Sequence, residues 1–136
     1  MADNTFMLEI VTPEQILFKD EIEFLVVPGA EGELGVMRNH APLVTSLKIG
    51  VLRYKDQRGE FRRMAMSGGF LEVVDNVARV LAETAERGED VDVLRAKAAK
   101  ERAERRIQQR TEDINLARAQ MALQRAIARI RASEGR

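Results

Sequence analysis

The chain of 136 residues has no cysteine, no tryptophan and a single histidine. Without thiols it can form neither disulfides nor thiolate metal ligands, which allows a reducing compartment. No apolar run approaches the roughly 20 residues that span a bilayer. The first residues show no charged stretch followed by an apolar one, as a secretory signal would. We therefore expect a soluble intracellular protein that meets a membrane only through a partner.

Residues suited to catalysis are also scarce. His40 stands alone in a proline-containing loop, where a structural role is usual and no partners cluster to form a metal site. Ser67 departs from the nucleophile elbow G-x-S-x-G because Ala65 replaces the first glycine, and its SGG context predicts a tight strand turn. The glycine-rich PGAEGELG lacks the Lys-Ser/Thr of a phosphate-binding loop. We expect a protein with no catalytic residue and no metal site.

Charge divides the chain into two parts although its total is zero. Residues 1–86 hold 9 Lys and Arg against 14 Asp and Glu, whereas residues 87–136 hold 13 against 8. The sign of the net charge changes where short apolar segments give way to alanine-rich charged stretches. This indicates two domains with different surfaces, 1–86 and 87–136.

The first predicted domain consists of strands. Short apolar segments occur at residues 6–11, 22–27, 43–47, 51–54, 61–66, 70–74 and 77–81. The stretches PGAEGELG, DQRG, SGG and DN between them have the composition of turns. Strands at intervals of about 8–12 residues are typical of a sandwich or barrel, and no helical pattern interrupts them to form a parallel sheet.

The second predicted domain consists of two helices, at residues 91–108 and from about 112 to 132, separated by a polar break. The predicted apolar seams are Leu94, Ala98 and Ile107 in the first helix, and Leu116, Ala119, Leu123, Ala126 or Ile127, and Ile130 in the second. Alanines outnumber large side chains, so the pair buries little apolar area. We expect a marginally stable hairpin that docks reversibly.

Arginines recur at spacings of seven and four on both helices: Arg95, Arg102 and Arg106 on the first, Arg118, Arg125 and Arg129 on the second. Folding the hairpin about residue 110 predicts that Arg95, Arg125 and Arg129 converge, with Asp92 close to Arg129. Converging guanidinium groups favour a bound anion, and arginine is well suited to phosphate.

Two alternatives remain for these arginines. One is a solvated charged face with local ion pairs such as Glu101–Arg105 and Asp92–Arg129. The other is nucleic-acid binding, which is disfavoured by the interleaved glutamates, the few aromatics and the neutral total charge, so we expect no nucleic-acid partner.

Three stretches together resemble the epsilon subunit of bacterial F-type ATP synthase: EGELGVMRNHAPLV at 31–44, SGGFLEV at 67–73 and DVDVLRAKAAKERAERR at 90–106. The resemblance covers nearly the whole chain in the right order. It implies an α+β fold, with an N-terminal antiparallel β-sandwich followed by a C-terminal two-helix antiparallel hairpin. It also implies a non-catalytic rotor subunit of a proton-translocating enzyme, peripheral at the cytoplasmic face of the bacterial membrane.

The resemblance further implies the partners. The sandwich would contact the gamma subunit and the c-ring. The helical arm would fold beside the sandwich, or extend along gamma to reach the alpha and beta subunits and inhibit ATP hydrolysis.

Several bacterial members of that family bind ATP as a regulatory ligand on the folded hairpin, through Ile or Leu, Asp, two variable residues, Arg and Ala. The matching residues here are Val91, Asp92, Arg95 and Ala96. Val91 is one methylene shorter than the usual residue, worth roughly 1 kcal/mol if it packs on adenine. The accessory positions are Glu86, Arg102, Arg125 and Arg129. The resemblance places Asp92 at the adenine edge and the arginines at the phosphates, and it favours the anion site over the solvated face.

A second functional class stays open from the residues alone. A β-sandwich with a helical arm is also suited to a free-standing adaptor that docks a partner helix. Co-purification with large ATPase subunits distinguishes the two classes.

Overall fold

The computed structural model describes residues 4–109 and 115–135 of the chain. The elements are β1 (Phe6–Val11), β2 (Ile16–Ile22), β3 (Phe24–Gly29), β4 (Gly32–Val36), β5 (Leu43–Lys55), β6 (Phe61–Val74), β7 (Val77–Ala82), β8 (Ala85–Arg87), a 3-10 turn (Gly88–Asp90), α1 (Val93–Gln109) and α2 (Leu116–Gly135). The predicted α+β class, a strand unit followed by two helices, is confirmed. The second helix was predicted to start near residue 112, and residues 112–114 lie outside the described residues.

Two strands are longer than the apolar pattern predicted. Segments 43–47 and 51–54 form the single strand β5, and segments 61–66 and 70–74 form β6. The predicted turn at SGG is therefore wrong. Gly68 and Gly69 lie within β6 with φ of 113° and 147°, a backbone conformation that glycine adopts readily. A Cβ on Gly69 would overlap the carbonyl group of Leu81, so the glycines allow β6 to bend close to its neighbour.

The long strands take part in both layers of the sandwich. The sheet order is β2-β1-β7-β6-β5-β3-β4, and β8 pairs with β6 off this path. Strand β7 pairs with residues 69–74 of β6, whereas β8 pairs with residues 64–66. Pairing is antiparallel throughout the described strands except between β1 and β7, which are parallel. The single sheet thus folds over to form both layers of the sandwich, with the core between them.

The apolar pattern missed three strands, the short β8, which pairs with β6, and the two strands at the ends of the sheet order, β2 and β4. Strand β2 contains the charged run Lys19, Asp20 and Glu21, and β4 belongs to the glycine-rich stretch predicted as a turn. Edge strands tolerate charge because one side faces solvent, so their apolar pattern is weak. In the β3–β4 hairpin, a Cβ on Gly29 would come within 2.6 Å of the Gly32 carbonyl oxygen.

The main core lies between the layers of the sandwich. Its buried residues are Phe6, Leu8, Ile10, Ile22, Leu25, Val27, Val36, Leu47, Leu52, Tyr54, Met64, Met66, Leu71, Val73, Ala78, Val80 and Ala82. None of them belongs to α1 or α2. The sandwich therefore has a core that does not depend on the helices.

Helix α2 packs on β5 and β6, and α1 packs on α2. A small cluster of Ala65, Ala128 and Ala132, flanked by Ile49 and Val51, joins α2 to the sheet. The described helices do not combine the length and apolarity that a bilayer span requires.

The apolar seam of the helix pair differs from the prediction at several positions, most of them in α1. Leu94 is 81% exposed and Ala98 is also exposed, whereas Ala96 and Ala103 are buried. In α2, Ala119 and Ala126 are buried as predicted, whereas Leu116, also predicted for the seam, is 39% exposed. Alanine occupies these positions because a methyl group lets two helix backbones approach closely, which a leucine would prevent.

Candidate functional site

Asp92 fixes the start of α1. The backbone N–H of Arg95 donates to Asp92 Oδ1 at 3.1 Å, and the N–H of Ala96 donates to the Asp92 carbonyl at 3.0 Å. Aspartate is among the best residues for capping a helix start. Just before it, the Val91 N–H closes the 3-10 turn on the Gly88 carbonyl at 3.3 Å. These bonds set the direction in which α1 leaves the sheet.

A cavity of about 330 Å³ opens beside this cap, between the end of the sheet and the two helices. We call it the Asp92 cavity. It is lined by Glu86, Asp90, Asp92, Arg95, Ala96, Ala99, Arg102 and Arg129. Six of the eight residues proposed from the family resemblance therefore meet at one cavity. Its three arginines face three carboxylates, because Glu86 and Asp90 join the Asp92 that the spacing predicted, so the cavity is close to neutral.

The ionic partner of Arg129 differs from the prediction. Its Nε lies 3.5 Å from Glu86 Oε1, whereas the predicted pair with Asp92 is not formed. Both side chains of the Glu86–Arg129 pair are about two-fifths exposed, so water screens the pair and it contributes little stability. The prediction failed because β8 brings Glu86 beside α2, a contact that helix spacing alone does not contain.

A second cavity of about 540 Å³ continues from the first between the two helices. We call it the four-arginine cleft. It is lined by Arg102, Arg106, Arg118, Arg125, Asn115, Ala99, Ala103, Ala119 and Ala122. Arg102 and Ala99 line both cavities. The described lining of this cleft thus holds four guanidinium groups and no carboxylate.

The four-arginine cleft adds two residues to the predicted site. Arg106 and Arg118 were noted for their spacing on the helix faces but were not included among the proposed ligands. Their signal was present in the sequence: each is four or seven residues from an arginine that was included.

Arg125 connects the helix pair to the sheet. It lines a small pocket of about 160 Å³ together with Arg129, Glu86, Ser67 and Thr84. In that pocket Thr84 donates to Ser67 Oγ through its hydroxyl at 2.6 Å and through its backbone N–H at 3.0 Å. Ser67 thereby ties β6 to the segment that leads into β8. Val91 is outside the described lining of these cavities and is half-buried at the end of the 3-10 turn.

His40 lies away from this region. Its Nδ1 is 2.7 Å from the carbonyl oxygen of Ala41. Among the described residues no group of three or more His, Cys, Asp or Glu side chains is arranged to hold a metal ion.

The structure defines a class of two-part protein, a β-sandwich with a helical hairpin folded on it and a charged cavity where they meet. Residues 5–88 match the family model for the ATP synthase Delta/Epsilon chain beta-sandwich domain, and residues 89–134 match that for the Delta/Epsilon chain long alpha-helix domain. The chain therefore belongs to the Delta/Epsilon chain family of ATP synthase, which confirms the resemblance drawn from its motifs.

Individual relatives agree with this assignment. The chain is 71% identical over 134 residues to the ATP synthase epsilon chain of Syntrophomonas wolfei, covering 98% of both chains. It is 54% identical over 131 residues to that of Desulforamulus reducens, covering 96% of this chain and 98% of the relative. A chain in the mitochondrial ATP synthase of Euglena gracilis has the same fold, with a TM-score of 0.79 at 24% identity over 88% of this chain and 76% of that one.

Proposed function

We propose that this chain is the epsilon subunit in the central rotor of a bacterial, proton-translocating F-type ATP synthase. In this role it is not itself catalytic. Its sandwich docks on the gamma subunit and the c-ring at the cytoplasmic face of the membrane. Its helices form an arm that, when extended, reaches the alpha and beta subunits and inhibits ATP hydrolysis. Family membership over residues 5–134 and the relatives that match almost end to end support the assignment.

We also propose that ATP binds the folded arm as a regulatory ligand. The observation that supports this is that the two adjoining cavities present different charged groups. The Asp92 cavity offers carboxylates, which accept hydrogen bonds from the amino group at the adenine edge. The four-arginine cleft offers guanidinium groups without a described carboxylate among them, which suits a triphosphate. Arg102 lies at the junction, where the ribose and first phosphate would be.

The site requires the folded arm. If the two helices formed one continuous rod, Arg95 and Arg129 would be about 50 Å apart at 1.5 Å rise per residue. ATP would therefore have a large differential affinity for the folded state, and that difference is what shifts a conformational population. High ATP would hold the arm down and permit hydrolysis. Low ATP would release it and stop hydrolysis.

Calorimetric titration of the isolated chain with ATP tests the site. Arg102→Ala should weaken binding at least tenfold, because a hydrogen bond to a charged phosphate is worth about 1.5–3 kcal/mol. Arg105→Ala is the matched control, since both arginines are exposed on α1 but Arg105 is outside the described lining of both cavities. If the two variants bind ATP equally well, these arginines form only a solvated face.

Asp92→Asn tests the other end of the site. Asparagine caps a helix about as well as aspartate, so α1 should keep its start. The substitution removes the carboxylate charge, and ATP affinity should fall while the circular dichroism of the chain stays the same. Undiminished affinity would exclude Asp92 from adenine recognition. For the enzyme role, co-purification with the other ATP synthase subunits distinguishes a rotor subunit from a free-standing adaptor.

A further inference from the structure

A groove of about 570 Å³ runs along the face of α2 opposite the ATP cavities. Its lining comes from the sheet through Pro28, Glu33, Lys48, Ile49, Gly50, Val51, Arg53 and Arg63, and from α2 through Gln124, Ile127, Ala128, Arg131 and Glu134. The α2 residues recur at spacings of three and four, so they form one stripe of the helix. We call this space the α2–β5 groove.

Positive charge dominates the polar part of the groove. Four cations line it against two carboxylates. Arg53 is already neutralised, because its Nη1 lies 3.0 Å from Glu33 Oε2. Lys48 and Arg63 on the sheet then face Arg131 on α2, with Glu134 as the one remaining carboxylate in the described lining. The Nε of Arg63 is buried and has no hydrogen-bond partner among the described residues.

The floor of the groove explains why these cations are held together. Ile49 and Val51 pack against the cluster of Ala65, Ala128 and Ala132 that docks α2 on the sheet. Apolar contact therefore brings like charges from the sheet and the helix to one groove. Like charges brought together in this way repel, and an anion between them removes the repulsion.

We infer that the α2–β5 groove is a second anion site, which binds a phosphate group and strengthens docking of the arm. Lysine and arginine are the usual phosphate ligands, and cations from the sheet and from α2 surround one space. Because its walls come from both the sheet and α2, the groove exists only while the arm is docked. A ligand that binds only the docked state stabilises that state by mass action.

The inference is independent of ATP binding. The two sites lie on opposite faces of α2 and share no described lining residue. A phosphate group can come from inorganic phosphate or pyrophosphate in solution, or from a phospholipid headgroup, and an experiment distinguishes these sources.

The test is a titration of the full chain with inorganic phosphate and with pyrophosphate, followed by amide NMR shifts and by the melting temperature. We expect saturable shifts at residues 48–51 and 124–134 and a rise in melting temperature.

Lys48→Ala/Arg131→Ala should raise the dissociation constant at least tenfold. Lys97→Ala/Arg105→Ala removes the same charge from exposed positions of α1 and should leave it unchanged. In the Arg102→Ala chain the groove amides should still respond, which separates this site from the ATP site.

Three further outcomes decide the inference. Binding to phosphatidylglycerol vesicles that the Lys48/Arg131 change abolishes would support the groove, with a headgroup as the source of the phosphate. Equal binding by the two double variants, to phosphate, pyrophosphate and vesicles alike, would overturn it. Shifts confined to the arginines of the ATP cavities would overturn it as well.

Discussion

Replacing Gly88 with alanine tests how the arm is held against the sandwich. Gly88 is buried in the 3-10 turn, and α2 passes so close that an added Cβ would overlap the carbonyl group of Ala132. Because the overlap is with backbone atoms, no change of side-chain rotamer relieves it. The helix must move away from the turn, and the cluster of Ala65, Ala128 and Ala132 must loosen with it.

The expected cost follows from the packing. Overfilling a well-packed interface costs about 1–3 kcal/mol. That free energy lowers the equilibrium constant for docking about 5- to 150-fold. The sandwich core contains no residue of the 3-10 turn or the helices, so its own melting should change little. If only the docked arm binds ATP, the apparent dissociation constant rises as the docked fraction falls.

Amide hydrogen exchange is the direct assay. In the Gly88→Ala chain the amides of α2 should exchange faster, whereas the amides of β1 and β7 should keep their protection. Glu89→Ala is the control, since Glu89 is exposed in the same turn. Protection of α2 equal to that of the control would refute the argument that close approach at Gly88 holds the arm. Loss of protection throughout the sandwich would also refute it, because the arm would then not be a separate unit.

Three further predictions concern the sandwich and the enzyme. A chain ending at Arg87 should fold and melt cooperatively, because the sandwich core is complete without the helices; aggregation under conditions where the full chain is soluble would contradict this. Deleting residues 88–136 should raise ATP hydrolysis by the reconstituted enzyme, and unchanged hydrolysis would mean that inhibition arises elsewhere. In the β5–β6 turn, hydrogen bonds from the backbone N–H groups of Glu60 and Arg58 lower the pKa of Asp56. Its carboxylate therefore stabilises the fold above its unfolded pKa of about 3.9, and this contribution is lost as pH falls through the lower folded pKa. Asp56→Asn should be less stable at pH 7 and show a weaker pH dependence below about pH 4, and coinciding stability curves would disprove the assignment.

Alternation of apolar residues predicted the strands well where one face is buried. In β1, Phe6, Leu8 and Ile10 are buried while the residues between them are partly exposed. The pattern failed where strands bend or lie at an edge. Gly68 and Gly69 have the composition of a turn, yet pairing with β5 on both sides continues the strand through them. Only tertiary hydrogen bonding distinguishes such a bend from a turn.

For the arginine site, too, the sequence predicted one part of the arrangement and missed another. Folding the two helices about residue 110 brought Arg95 and Arg129 to one cavity, a consequence of helix geometry and hairpin topology, whereas Arg125, predicted to join them, lines the neighbouring cleft. Glu86 as the partner of Arg129 depends on how the helices dock on the sheet, which helix periodicity does not contain. The predicted apolar seam of α1 was wrong for a related reason. Leu94 has the larger apolar surface, but close helix packing selected Ala96.

The composition of the docking surface suits an arm that a ligand controls. Burying a methyl group contributes about 0.8 kcal/mol, so Ala65, Ala128 and Ala132 together contribute about 2 kcal/mol. A ligand at 100 times its dissociation constant contributes about 2.7 kcal/mol to the state it binds. If ATP binds only the docked arm, as proposed, its binding adds about as much free energy to docking as these three methyl groups do.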